Sequence, residues 1–96
     1  MRESRIEKVL KDSIDNRLNG LCLKFNSGIS GMPDRIVIVN NKIIFVELKA
    51  PGKKPRPLQV YMHSKLRELG QTVLVLDSVE KVRKFVKELE DEIYTT

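Results

Sequence analysis

Asp34, Glu47 and Lys49 interrupt a stretch, residues 34 to 49, otherwise dominated by Ile, Val and Phe. If Asn40 and Asn41 form a two-residue hairpin turn, opposing residue numbers sum to 81, which puts Val39 opposite Lys42 and Asp34 opposite Glu47. Two carboxylates facing each other at about 5 Å repel, whereas a divalent cation between them would turn the repulsion into coordination. Glu47 and Lys49 lie two residues apart, hence on one face of their strand. A hard metal held by Asp34, Glu47 and the Leu48 backbone carbonyl, with the Lys49 ammonium beside it, suits phosphodiester hydrolysis: the acids place the cation, and the amine meets the nucleophile or the phosphate. The plainer alternative is a strand-entry aspartate and a surface glutamate paired with Lys49.

Two further residues are candidates. Glu7 shares a helix face with Leu10, Ile14 and Leu18, so it could add another carboxylate, and a metal ligand, to the site; Ser4 and Glu7 also have the spacing of a capping box, and both readings stand open. Gln59 could orient a phosphate, a water or a catalytic carboxylate. Residues 42 to 67 carry seven bases (Lys42, Lys49, Lys53, Lys54, Arg56, Lys65, Arg67) against the single acid Glu47. Lys53, Lys54 and Arg56 sit in a Pro/Gly-rich connection, suited to phosphate contacts that add affinity more than sequence choice. His63 has no cysteine or second histidine near it and reads as core-edge packing or solvent-exposed rather than a zinc ligand. Cys22 reads as a small strand side chain without a nucleophile's partners.

These residues need elements to hold them. Apolar spacing predicts a helix from Ser4 to Leu18 with Gly20 as its stop, and a short strand Leu21 to Phe25. A turn-rich loop to Pro33 follows, then a hairpin of Asp34 to Val39 and Lys42 to Lys49. Both hairpin strands carry apolar residues at both parities, a pattern that wants cover on both faces. A second helix runs to about Leu69 with Leu58, Met62, Leu66 and Leu69 as its apolar stripe; Thr72 to Leu76 is a strand. Asp77 and Glu80 have capping-box spacing for a last helix carrying Val79, Val82, Val86, Leu89 and Ile93. The order is α, β, β, β, α, β, α.

Ninety-six residues fit one domain, spanning 1–96. Eighteen Lys plus Arg against thirteen Asp plus Glu give +5, which favours a polyanionic partner without naming it. One cysteine excludes an internal disulfide, one histidine excludes the familiar zinc sets, and no apolar run reaches the roughly 20 residues that span a bilayer. The polar first residues build no secretory signal, so a cytoplasmic address is expected, the host's cytoplasm if the chain is phage-encoded. The acidic stretch Glu88, Glu90, Asp91 and Glu92 should avoid nucleic acid.

Gly31-Met32-Pro33-Asp34, then Phe45-Val46-Glu47-Leu48-Lys49-Ala50-Pro51-Gly52 and Gln59, closely resemble the stand-alone virus-type replication-repair nuclease domain, VRR-NUC, a branch of the PD-(D/E)xK superfamily. The resemblance implies an α/β, restriction-endonuclease-like core with a central mixed sheet flanked by helices. It implies that Asp34 and Glu47 are metal ligands, Lys49 the catalytic lysine, Glu7 the acidic residue of the first helix and Gln59 the glutamine of the next. It further implies a magnesium-dependent endonuclease, manganese substituting, that acts as a homodimer on branched DNA such as Holliday junctions in repair and recombination. The alternatives are a nuclease of this fold acting on flaps or other branched DNA, and a non-catalytic basic nucleic-acid-binding module.

Overall fold

The computed structural model describes residues 2 to 94; Met1, Thr95 and Thr96, at the ends of the expected 1–96 domain, lie outside the described residues. The chain folds as α1 (Glu3–Asp12), a π-helical turn (Ser13–Arg17), β1 (Leu21–Lys24), β2 (Arg35–Val39), β3 (Lys42–Leu48), α2 (Pro57–Glu68), β4 (Thr72–Leu76) and α3 (Val79–Tyr94). The strands form one mixed sheet in the order β1-β2-β3-β4. The first three pair antiparallel, and β4 joins β3 in parallel after the α2 crossover.

The hairpin has the expected register. Val39 pairs with Lys42 and Arg35 with Val46, with Asn40 at the turn in the left-handed region at φ 51°. Period two then sorts the side chains. Cys22, Val37, Val39, Ile44, Val46, Leu48 and Leu76 face α1 and α3 and make the core with Ile6, Leu10, Ile14, Val82 and Val86. Val73, Glu47 and Phe45 point to the opposite face, where α2 packs over the β3–β4 side.

That second face is only half covered, unlike the expectation of cover on both sides. Leu21, Ile38 and Ile43 form one cross-strand row and Leu23, Ile36 and Phe45 the next. Leu21 and Ile43 are each 53% exposed and Leu23 45%. One helix of twelve residues roofs the β3–β4 side and leaves β1 and β2 open.

Three helix expectations change. The first helix does not run regularly to Leu18: it widens into the π-turn, where the Leu18 N–H donates to the Ser13 carbonyl. The left-handed residue after it is Asn19, at φ 53°, while Gly20 serves close approach, since a Cβ there would sit 2.4 Å from Val39 Cγ1 and 2.6 Å from the Ile38 carbonyl oxygen. On α3, Ser78 caps the helix through its Oγ to the Lys81 N–H, and Asp77 instead pairs with Lys81 Nζ at 2.9 Å. On α2 the apolar stripe is split: Leu58 and Leu69 are exposed, Met62 and Leu66 half-buried, and the buried positions are Gln59 and His63.

The acidic end of α3 spends its charge inside the molecule. Arg17 forks onto Glu90 with two 2.8 Å hydrogen bonds, Lys42 pairs with Glu92, and Lys87 pairs with Asp91. Lys42 therefore leaves the basic cluster counted from sequence. Among the described residues no helix is long and apolar enough to cross a membrane.

Candidate active site

The site forms where the hairpin opens. Pro33 is buried and Asp34 stands one residue before β2, so it extends the register to a position opposite Glu47 on the same face of the sheet. Its backbone carbonyl accepts the Phe25 N–H at 2.9 Å, continuing the β1–β2 pairing, and its Oδ1 accepts the Leu48 N–H at 3.2 Å. The loop before it is pinned to α2 at Gly31: with φ at +90° and only 2.8 Å between a notional Cβ and the Leu58 carbonyl oxygen, no larger residue fits. A groove of about 340 Å³, lined by Ser30, Gly31, Arg56, Pro57, Leu58 and Gln59, lies beside this contact.

Glu47 is 4% exposed, and Lys49 Nζ stands 3.6 Å from its Oε2. Burial, then the charge of Asp34, pushes its carboxyl up to about 7; the Lys49 ammonium works against the rise and Glu3 adds to it. Asp34 is also shifted upward, by burial first, with the Leu48 N–H and the charges of Arg35 and Lys49 opposing. Two facing acids both shifted upward, Glu47 in part by the charge of Asp34, are the electrostatic signature of a place that suits positive charge. The facing Asp34 and Glu47 carboxylates are oxygen donors, and Glu47 Oε1 is buried without a partner. A hard divalent cation fits this donor set.

Gln59 reaches the site through the structure of its own helix. Its Oε1 accepts the Arg56 N–H at 2.8 Å, closing the first turn of α2, and its Nε2 donates to Glu47 Oε2 at 3.3 Å. One side chain thus links the carboxylate to the basic connection, in which Lys53, Lys54 and Arg56 are exposed. The turn there runs through Gly52 at φ +82°, with the Lys53 N–H bound to the Ala50 carbonyl.

Of the two readings of Glu7, the capping box is overturned. The helix N-cap is Arg2, so Ser4 and Glu7 form no capping box. The Glu7 carboxylate pairs with Arg35 Nη2, and Arg35 in turn holds the Asp34 carbonyl oxygen at 2.8 Å and stands 3.8 Å from Asp34 Oδ2. Glu7 reaches the site through that guanidinium, while the α1 acid whose charge bears on Glu47 is Glu3, one turn earlier. Its signal in sequence was its place at the start of an amphipathic helix, which on its own suggests only a favourable dipole contact.

His63 is the residue that sequence reasoning missed. It is 2% exposed, with Nε2 4.0 Å from Glu47 Oε1, and burial followed by the charges of Arg67 and Lys49 lowers its pKa. Its spacing of four from Gln59 was the available signal. Cys22 stays an unreactive core thiol, pushed up to about 11 by burial.

No family model matches the chain. A curated protein named "Putative nuclease p44", from Acyrthosiphon pisum secondary endosymbiont phage 1, is 50% identical over 80 residues, spanning 81% of this chain and 85% of that protein. A solved structure titled "VRR_NUC domain" superposes with a TM-score of 0.80 at 36% identity, over 88% of this chain and 94% of the other. Half of the aligned residues shared with the phage protein, and one fold shared at that identity with the solved domain, identify this chain as a member of the VRR-NUC family.

Proposed function

We propose that the protein is a divalent-metal-dependent DNA endonuclease that hydrolyses phosphodiester bonds at the open end of the β2–β3 hairpin. The observation that carries this reading is the facing pair of carboxylates, Asp34 and Glu47, both shifted upward, with Lys49 Nζ 3.6 Å from the latter. Asp34, Glu47 and the Leu48 carbonyl would hold the cation, magnesium or in its place manganese. When bound, the cation would acidify a coordinated water and polarise the phosphate. Lys49 places its ammonium against the phosphate oxygens as charge builds there, and Gln59 keeps Glu47 aimed. Lys53, Lys54 and Arg56 track the backbone of the substrate strand.

The finer reading is a homodimer cutting four-way DNA junctions in the cytoplasm. Two symmetry-related strands cross at such a junction, and a two-fold pair of subunits supplies one centre for each. The open rows Leu21–Ile38–Ile43 and Leu23–Ile36–Phe45 support it, because a contiguous apolar patch is a poor surface to leave in water and a second copy of the same patch can cover it about a two-fold axis.

Purified protein incubated with matched linear, flap and four-way DNA should cut the four-way junction best in magnesium or manganese and cut nothing in EDTA. Products in EDTA would overturn the metal chemistry, and cutting confined to flaps would overturn the junction preference. The dimer is tested separately by Ile43→Glu: sedimentation equilibrium should show wild type as a dimer and the variant as a monomer at micromolar concentration. A monomeric wild type would remove the paired-centre model.

A further inference from the structure

α2 turns Gln59 and His63 into the protein, where a helix lying on a sheet ordinarily places aliphatic side chains. The two stand one turn apart on one face and meet the same group. Gln59 Nε2 donates to Oε2 of Glu47 at 3.3 Å, and His63 Nε2 lies 4.0 Å from Oε1. Among the described residues, that Nε2 and that Oε1 are the buried side-chain polar atoms left without a hydrogen-bond partner. Leaving such atoms unpaired is costly. At 4.0 Å the gap is about 1 Å longer than a direct bond.

We infer that His63 is a positioning residue for Glu47: its Nε2–H closes on Oε1 while Gln59 holds Oε2, so that α2 grips both oxygens of the carboxylate that faces the cation. Each carboxylate oxygen has a second lone pair, so the grip leaves acceptor capacity for the metal. Such outer contacts fix the orientation in which a ligand meets its ion. The inference rests on the nuclease reading above, and its tests separate the two.

His63 is the sole histidine, so its imidazole nitrogens are read without ambiguity by NMR in untagged protein. Long-range nitrogen–proton correlation at pH 8, without metal, should show the Nε2–H tautomer; the Nδ1–H tautomer would overturn the contact. Two polar substitutions then test its consequence. His63→Gln carries an amide nitrogen to nearly the Nε2 position, whereas His63→Asn falls short. By calorimetry His63→Asn should bind Mn2+ about 10-fold more weakly than wild type and cut about 10-fold more slowly with KM for DNA little changed, and His63→Gln should recover most of both. Equal losses in the two variants, or none in either, would overturn the positioning role. Failure of the nuclease reading looks different: wild type itself would bind no Mn2+ and cut no DNA, and the tautomer alone would then decide the His63–Glu47 contact.

Discussion

Lys49→Ala is expected to lower metal-dependent DNA cleavage by about 10²–10³-fold, the loss that follows removal of one preorganised group facing developing charge. The loss should fall on kcat. Lys49 is one of several cations near the substrate path, with Lys53, Lys54 and Arg56 exposed beside it, so affinity for DNA should change far less than rate. A second consequence follows from its place 3.6 Å from Glu47: removing the ammonium takes away the largest influence that holds the Glu47 carboxyl down. The variant's pH–rate profile should therefore move its acidic limb to higher pH. Cleavage within tenfold of wild type, with the profile unmoved, would take Lys49 out of the mechanism.

The second large effect is on stability. Glu47 has an ordinary value of 4.5 and stands near 7 in the fold, so the folded state binds a proton more tightly than the unfolded one. Its contribution is full below about 4.5 and is lost as pH rises through about 7. His63 carries the opposite sign over part of that range, because its pKa is lowered on folding and its stabilisation is lost as pH falls below 6.5. Glu47→Gln removes the first slope and leaves the second. Against wild type, the metal-free variant should gain little at pH 4.5 and on the order of 3 kcal/mol at pH 8. For a domain of this size that is roughly 12–24 °C in Tm. Added Mn2+ should raise the Tm of wild type and not of Glu47→Gln, because only an ion bound to the folded state stabilises it. A difference between the two proteins that is flat from pH 4.5 to 8 would show that the carboxyl titrates normally.

The register of the hairpin was legible because two facts specified it: Asn40-Asn41 tolerates the turn, and strand side chains alternate with a period of two. Everything that depends on that register, including Asp34 opposite Glu47, followed. The inner side of α2 was not legible. Hydrophobic periodicity assumes that the buried side of a helix is apolar, and here the neighbour beneath it is a carboxylate, so Gln59 and His63 went in and Leu58 and Leu69 stayed out. Glu7 was read within α1, from its helix face and its spacing from Ser4, and spacing along one helix carries no information about Arg35, which arrives from β2 to pair with it. The π-turn at Ser13–Arg17 was hidden for a related reason: one wider turn keeps Leu18 in the core while the local sequence still looks like an ordinary helix.

The turn at Asn40-Asn41 lies at the far end of the hairpin from the carboxylates, yet its length decides whether they meet. One added residue there, if the strands kept their pairing by slipping, would carry Val46 beneath α2 and drive Glu47 into the Ile6–Leu10 core, an exchange no side-chain adjustment could absorb. Relatives that keep this chemistry should therefore vary in length within the Asn26–Gly31 and Pro51–Pro55 loops and hold the distant two-residue bend constant, making the length of a bare turn as strict a requirement as the acids themselves.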